Sequence, residues 1–284
     1  MILSHKNSLH LTKFIAKATN QNFLSYRQGL YQNKEINFTL LLDRRPKFVD
    51  IWCSIDQDPI TLLWLSSMYQ ACLDYKITIR KLIIPYLAYS RQDHIVKKGE
   101  VAIGKSIANS ISLFTCQQKI FIDLHSDYIR NILKKFKELD LLPYLIKQVS
   151  EPIDMVIAPD KGAETKIKLL HSKLPIITLP KKRQKGMISR EKRKYPIRDK
   201  HILLIDDMID TGNTILSAVD VLCLSNPASI SVLAVHPVFS DDAKLLLANK
   251  TIKSVYVANT IRVESKKQLQ VINCDSYLLE KIYG

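Results

Sequence analysis

Six apolar runs rich in β-branched residues recur along the chain, and stretches with helical spacing accompany them. The runs lie at 81–89, 119–126, 154–160, 201–207, 229–237 and 253–260. Continuous apolar strands of this kind are buried on both faces of a sheet. Helical spacing at 59–75 and 212–225 predicts βαβ units. The sequence therefore predicts an α/β fold with mostly parallel sheets flanked by helices.

The chain is long enough for two domains. Its 284 residues exceed the usual size of one compact core, which favours a division into two. The segment near 138–153 contains Pro143 and Pro152 ahead of the next apolar run. We therefore predict an N-terminal domain at 1–145 and a C-terminal domain at 146–284.

Membrane and disulfide-rich classes do not fit this sequence. The amino-terminal segment lacks an apolar core with a small-residue cleavage site, and no uncharged apolar run reaches about 18 residues. We expect a cytoplasmic protein without a membrane partner. The five cysteines are odd in number and lack C-x-x-C spacing. They predict reduced, mostly buried thiols and neither a zinc site nor a disulfide framework.

The excess of basic residues points to an anionic partner. The chain has 42 Lys and Arg against 27 Asp and Glu, a formal charge of +15. Ten of the basic residues lie between Lys181 and Lys200, with only Glu191 and Asp199 among them. Charge alone leaves open a solvated face, a nucleic-acid arm and a site for a small phosphorylated substrate.

The segment 202–215 carries the strongest functional pattern. An apolar strand ends at Asp206 and Asp207, a short turn contains Asp210, and Thr211–Thr214 opens a helix. The unpaired backbone N–H groups and the dipole of a helix start suit a phosphate. Carboxylates beside a phosphate make sense if they accept hydrogen bonds from the hydroxyls of a phosphorylated ribose. The alternative is an acidic turn with Thr as the helix N-cap.

This segment resembles the phosphoribosyl diphosphate signature of phosphoribosyltransferases and ribose-phosphate diphosphokinases. Segment 84–94 is similar to the P-Y-x-x-Y-x-R-Q-D motif of the diphosphokinases, also called pyrophosphokinases, and 121–127 to their D-L-H motif. Segment 157–162 resembles their P-D-x-G motif, and 236–240 resembles a fifth motif. The chain is thus identified as a divergent short form of this family, which implies two phosphoribosyltransferase-type domains.

The resemblance implies an enzyme that makes phosphoribosyl diphosphate and AMP from ATP and ribose 5-phosphate, for nucleotide biosynthesis. The family motifs assign ATP contacts to Tyr31, Asn33, Glu35, Arg91 and Gln92. Tyr31–Glu35 is similar to a turn that in the family reaches the ATP site of a neighbouring subunit. The resemblance therefore implies a homo-oligomer with shared ATP sites; an ordinary polar turn is the alternative.

The same resemblance assigns residues to catalysis and to metal binding. In the family a catalytic loop begins with K-x-R, here Lys181-Lys182-Arg183, and magnesium is held at positions matching His125 and Asp160. Mg²⁺ prefers oxygen ligands and keeps several waters, so Asp160 and substrate phosphates should dominate its binding. The ribose 5-phosphate contacts fall on Arg183, Asp206, Asp210, Thr211, Gly212, Asn213 and Thr214.

One departure from the family concerns regulation. Many members carry a long, Gly-containing stretch after the D-L-H motif, whereas this chain has 131–149 without a recognisable counterpart. That difference argues against allosteric control by phosphate and ADP. A non-catalytic paralogue that binds an active synthase, a phosphoribosyltransferase and a nucleic-acid binder are the alternatives at this stage. No nucleic-acid partner is expected, because the motifs account for the charge.

Overall fold

The chain forms an α/β fold, as the sequence predicts. The computed structural model describes residues 1–168, 174–180, 182–184, 187–240 and 243–284, with side chains at 182–184 and 187–189 outside the description. The strands are β1 (Ile2–Ser4), β2 (Tyr26–Leu30), β3 (Ile36–Leu40), β4 (Phe48–Trp52), β5 (Thr78–Ile84), β6 (Gln118–Ile122), β7 (Phe136–Leu139), β8 (Met155–Ala158), β9 (Ile176–Thr178), β10 (Lys182–Gln184), β11 (Met187–Ser189), β12 (His201–Ile209), β13 (Ser229–Pro237), β14 (Ile252–Ala258) and β15 (Leu269–Ile272).

The helices are α1 (Leu9–Ala18), α2 (Ile60–Asp74), α3 (Ile103–Ser112), α4 (Asp127–Leu133), α5 (Leu142–Ile146), α6 (Lys161–Lys168), α7 (Asn213–Cys223), α8 (Ala243–Ala248) and α9 (Asp275–Tyr283), with a 3-10 turn at Lys6–Ser8. Within the described ranges, no helix has the length and apolarity needed to cross a membrane. All five cysteines are free, and three of them are buried.

The chain divides into two compact units. One comprises Met1–Asp140 and Asp275–Gly284, and the other comprises Leu141–Cys274. The boundary predicted after residue 145 falls inside α5.

The first unit is built on a parallel sheet of five strands in the order β1-β4-β5-β6-β7. Its core includes Trp64 and Phe121, both fully buried. Burial of one large aliphatic or aromatic side chain contributes roughly 1.5–3 kcal/mol. β2 and β3 form a separate antiparallel hairpin.

Helix α9 belongs to the first unit through contacts at both of its ends. The side chain of Tyr277 donates a hydrogen bond to the carbonyl of Asp140 at 3.0 Å. The indole of Trp52 donates to the hydroxyl of Tyr283 at 3.3 Å. Burial raises the pKa of Tyr283, so its hydroxyl stays protonated at neutral pH.

The second unit is built on a parallel sheet of six strands in the order β15-β14-β13-β12-β8-β9. Strand β12 differs from the sequence prediction, because it continues past Asp206 and Asp207 as far as Ile209. Met208 and Ile209 are buried and lie opposite His236 and Pro237 of β13. The long partner strand thus extends the ladder through the two acids.

Candidate active site

Asp160 lies directly beyond the carboxyl end of β8 and caps helix α6. Its Oδ1 accepts a hydrogen bond from the backbone N–H of Ala163 at 3.1 Å, and its carbonyl accepts one from Glu164 at 3.1 Å. A Cβ atom at Gly162 would lie 3.3 Å from Oδ1 of Asp160. Glycine at this position therefore leaves space beside the carboxylate, whose orientation the helix start fixes.

Asp206 and Asp207 lie on β12, the strand next to β8. Successive side chains of a strand point to opposite faces of the sheet. Oδ2 of Asp207 lies 4.0 Å from Nζ of Lys166 on α6. Oδ1 of Asp206 accepts a hydrogen bond from the backbone N–H of Asp207 at 3.0 Å. Asp207 therefore lies within ion-pair distance of a lysine of α6.

The turn between β12 and α7 needs glycine at position 212. Gly212 has a φ of +80°, and a Cβ there would lie 2.9 Å from the side chain of Leu246. The backbone N–H of Asn213 donates to Oγ1 of Thr211 at 3.3 Å, and α7 begins at Asn213. The turn places the start of an 11-residue helix, a position whose N–H groups and dipole suit an anion, at the carboxyl edge of the sheet.

Arg190 joins two parts of the second unit. Its Nε donates to Oγ of Ser217 on α7 at 3.0 Å, and its Nη2 lies 3.4 Å from the carbonyl of Thr214. Nη1 lies 3.4 Å from the carbonyls of Leu179 and Pro180, which follow β9. The half-buried guanidinium therefore fastens the start of α7 to the segment that precedes β10.

The charges around Arg190 bear on the acids of this edge. Burial lowers the pKa of Arg190, whereas the negative charges of Asp160 and Asp206 act in the opposite direction. A guanidinium remains protonated despite such a shift. Arg190 is thus a fixed positive charge within electrostatic range of both carboxylates.

His125 follows strand β6 in the first unit and has an exposed side chain. Asp123 before it is buried, has a φ of +45°, and donates its backbone N–H to the carbonyl of Leu139 at 3.0 Å. Ser126 after it caps α4 by accepting the N–H of Ile129 at 3.1 Å. The backbone on both sides of His125 is therefore held while its imidazole faces solvent.

Arg91 and Gln92 lie on a turn after β5, and both side chains are exposed. The backbone N–H of Gln92 donates to the carbonyl of Tyr89 at 2.8 Å, and the carbonyl of Gln92 accepts from Gly104 at 3.0 Å. The hydroxyl of Ser126 donates to Asp93, which ties this turn to the segment that carries His125. The structure thus brings the R-Q-D and D-L-H motifs together at the carboxyl edge of the first sheet.

Residues Tyr31 to Glu35 form the exposed turn of the β2–β3 hairpin. The backbone N–H of Tyr31 donates to the carbonyl of Glu35 at 2.9 Å, and Lys34 has a φ of +68°. Oδ1 of Asn33 accepts the N–H of Glu35 at 3.1 Å. The side chains of this turn are exposed to solvent.

Two family models match the chain in succession. The first, described as the N-terminal domain of ribose phosphate pyrophosphokinase, matches residues 1–114. The second, described as the phosphoribosyl synthetase-associated domain, matches residues 184–279.

Two curated relatives extend these matches. The ribose-phosphate pyrophosphokinase of Sulfurisphaera tokodaii is 31% identical over 208 residues, which are 70% of this chain and 71% of the relative. The chain belongs to the ribose-phosphate pyrophosphokinase family. The pyrophosphokinase of Buchnera aphidicola is 28% identical over 275 residues, which cover 91% of this chain and 85% of that relative.

A solved structure supports the fold of this pyrophosphokinase family member. The crystal structure of phosphoribosylpyrophosphate synthetase from Mycobacterium smegmatis matches with a TM-score of 0.82. The match covers 99% of this chain and 97% of the other, at 24% sequence identity. At this identity the likeness concerns the fold, and it confirms the predicted α/β architecture.

Part of the predicted catalytic loop of the pyrophosphokinase lies outside the described residues. Lys181 falls there entirely, so its role stays a prediction. The backbone of Arg183 lies in β10, opposite Ile188 of β11. The roles assigned to the other predicted site residues also remain predictions, although their backbone positions are now defined.

The sequence did not single out Arg190. It belongs to a basic run in which Arg193 and Arg198 have the same chemistry. Only its half-buried position, in contrast to the exposed side chains of the other two, distinguishes it. The pattern of charge along the chain does not indicate which of these arginines is half-buried.

Proposed function

We propose that this chain transfers the β,γ-diphosphate of ATP to the anomeric hydroxyl of ribose 5-phosphate, producing phosphoribosyl diphosphate and AMP. The observation that carries the proposal is the turn at 210–214, where acids and a helix start share the edge of the sheet with Asp160. Membership of the pyrophosphokinase family supports the same reaction. In this proposal the N-terminal domain contacts ATP, and the C-terminal domain holds the sugar phosphate and the catalytic loop.

The ribose 5-phosphate site is assigned to the second unit. Asp206 and Asp210 accept hydrogen bonds from ribose hydroxyls, while the backbone N–H groups of Thr211–Thr214 bind the 5-phosphate. Charge-assisted hydrogen bonds of this type contribute about 1.5–3 kcal/mol each. Gly212 keeps the turn compact enough for the backbone to approach the phosphate.

The ATP site is assigned to the first unit and to a neighbouring copy of the chain. Arg91 and Gln92 are exposed on a braced turn, and a guanidinium binds phosphate through paired hydrogen bonds or stacks on adenine. Tyr31, Asn33 and Glu35 of a second subunit complete the site, which requires a homo-oligomer. Their exposure in the hairpin turn supports this assignment.

Lys181 and Arg183 supply the catalytic charge. The anomeric hydroxyl attacks the β-phosphorus of ATP and loses its proton to solvent. The bond from the β-phosphorus to the α,β-bridging oxygen breaks, and AMP leaves with its electrons. Negative charge spreads over the transferred diphosphate, so fixed positive charge and positioning lower the barrier. Arg183 also contacts the sugar phosphate in this proposal.

Magnesium fits the donor groups that the chain offers. Among the described residues, no group of three or more His, Cys, Asp or Glu side chains forms a metal cluster. Mg²⁺ characteristically binds through one or two carboxylates together with substrate phosphates and waters. Asp160, whose carboxylate is oriented by the start of α6, suits this role, with His125 as a lesser contributor. The ion would neutralise phosphate charge.

The decisive experiment identifies the nucleotide product. The purified chain is incubated with Mg²⁺, ATP and ribose 5-phosphate, and the products are separated by chromatography. AMP and phosphoribosyl diphosphate in equal amounts are expected. Formation of ADP would indicate transfer of a single phosphoryl group and would overturn the proposal. Absence of turnover would favour a non-catalytic paralogue.

A further inference from the structure

Arg130 and Glu138 form a two-pronged ion pair beside the D-L-H segment. Nε of Arg130 donates to Oε2 of Glu138 at 2.8 Å, and Nη2 donates to Oε1 at 2.8 Å. Nη1 of Arg130 also donates to Asp127 at 2.6 Å. Parallel hydrogen bonds of this kind fix the geometry of both side chains.

The pair holds both backbone polar groups of Leu124. Oε1 of Glu138 accepts the N–H of Leu124 at 2.9 Å. Nη2 of Arg130 donates to the carbonyl of the same residue. Leu124 itself is buried. The ion pair thus replaces the strand pairing that ends at Asp123 and fixes the peptide that leads into His125.

We propose that Arg130 and Glu138 are positioning residues for His125. The imidazole lies between two anchored neighbours, Leu124 in this clamp and Ser126 at the start of α4. The inference rests on the proposed function, in which His125 faces the Mg²⁺ and ATP side of the site. It gives a role to Glu138, which lies in the segment 131–149 where the chain departs from the usual family pattern.

A purely stabilising ion pair is the competing explanation, and the chain offers a matched control. Arg80 forms a similar paired contact with Asp50, with Nε to Oδ1 at 2.9 Å and Nη2 to Oδ2 at 2.5 Å. Arg80 lies near the amino end of β5, whereas His125 lies beyond the carboxyl end of the neighbouring β6. Arg80→Met breaks a pair with the fully buried Asp50, so it should cost stability without disturbing the segment of His125.

The experiment compares Arg130→Met, Glu138→Gln and Arg80→Met in the parent and in a His125→Ala background. Kinetic constants for ATP, the Mg²⁺ requirement and the thermal midpoint are measured for each protein. Loss of an outer partner of a metal site typically costs about 10- to 100-fold in metal affinity or activity. We expect a loss of that size for Arg130→Met in the parent. In the His125→Ala background the further loss should be under about twofold, because residues that act through one another are not additive.

Equal losses in both backgrounds would overturn the inference, as would an Arg80→Met variant that matches Arg130→Met in kinetics. Glu138→Gln keeps the shape and an acceptor for Leu124, so it provides the test if Arg130→Met fails to fold. Arg130→Lys should recover only part of the activity, since an ammonium cannot reproduce the planar fork.

Amide hydrogen exchange in 121–127 provides a readout that does not depend on the reaction. Faster exchange in Arg130→Met is expected, and unchanged exchange would refute the clamp even if the proposed reaction itself were wrong.

Discussion

Gly104 lies against the carbonyl oxygen of Tyr89, and a Cβ atom at position 104 would come within 2.3 Å of that oxygen. A Cβ atom cannot approach an oxygen so closely, so Gly104→Ala must displace the turn that carries Arg91 and Gln92. We expect the Michaelis constant for ATP to rise at least several-fold while that for ribose 5-phosphate changes little. Steady-state kinetics with each substrate varied in turn check this expectation.

The matched control for Gly104 is Ser106→Ala, an exposed position of the same helix. Alanine stabilises a helix by about 1 kcal/mol relative to glycine. A loss of stability in Gly104→Ala would therefore come from the contact with Tyr89 and not from helix propensity. Wild-type kinetics in Gly104→Ala would show that the turn yields without affecting the ATP contacts.

Asp210→Ala should weaken binding of ribose 5-phosphate selectively. The ribose hydroxyl loses a charged acceptor, a loss of about 1.5–3 kcal/mol. Calorimetric titration with ribose 5-phosphate and with ATP separates the two substrates. Asp220→Ala, which removes an exposed carboxylate from α7, serves as the control. Equal weakening of ATP and sugar binding by Asp210→Ala would indicate a general disturbance of the turn.

Arg190→Ala should destabilise the second unit and raise the Michaelis constant for ribose 5-phosphate. The change removes the hydrogen bond to Ser217 and the contact with the carbonyl of Thr214, with a cost of about 1–3 kcal/mol for polar groups left without partners. Chemical denaturation and substrate kinetics measure the two effects. Arg198→Ala removes the same charge from a side chain that is 82% exposed and should change neither. If the two variants have the same free energy of unfolding and the same Michaelis constant, Arg190 does not have this structural role.

Mixed oligomers test the shared ATP site. Glu35→Ala and Lys181→Ala should each lower turnover strongly as separate proteins. After dissociation and joint reassembly, some interfaces combine an intact hairpin turn with an intact catalytic lysine, so activity should partly return. Mass spectrometry of the native assemblies verifies that hybrids have formed. If the hybrids are as inactive as either parent, or if a monomer is active, the shared ATP site is refuted. Tyr31–Glu35 would then be an ordinary polar turn.

The sequence predicted the strands better than the contacts that hold the site. The apolar runs at 119–126 and 229–237 became β6 and β13, because fully buried parallel strands leave a strong local pattern. The predicted end of β12 was wrong. The strand continues to Ile209 because it pairs with the long neighbouring strand β13, and the local pattern of acids does not reveal that neighbour.

Contacts between side chains that are distant in sequence could not be predicted from the sequence. The contacts of Arg190 reach back to Leu179 and forward to Ser217, and nothing in the spacing of the basic run indicates them. The clamp on Leu124 likewise depends on β6 and β7 being neighbours in the sheet. Motifs locate residues at strand ends, whereas the bracing of those residues arises only once the sheet has formed.

Helix α9 has a consequence for synthesis of the chain on the ribosome. The first unit includes Asp275–Gly284, so the whole of Leu141–Cys274 is translated before its remaining piece emerges. Domains generally fold as units, the N-terminal one first. Here the inserted unit is complete in sequence first, because Trp52 of the other unit still lacks its hydrogen-bond partner Tyr283. A chain shortened to end before α9 would therefore contain every residue of the second unit and lack part of the first.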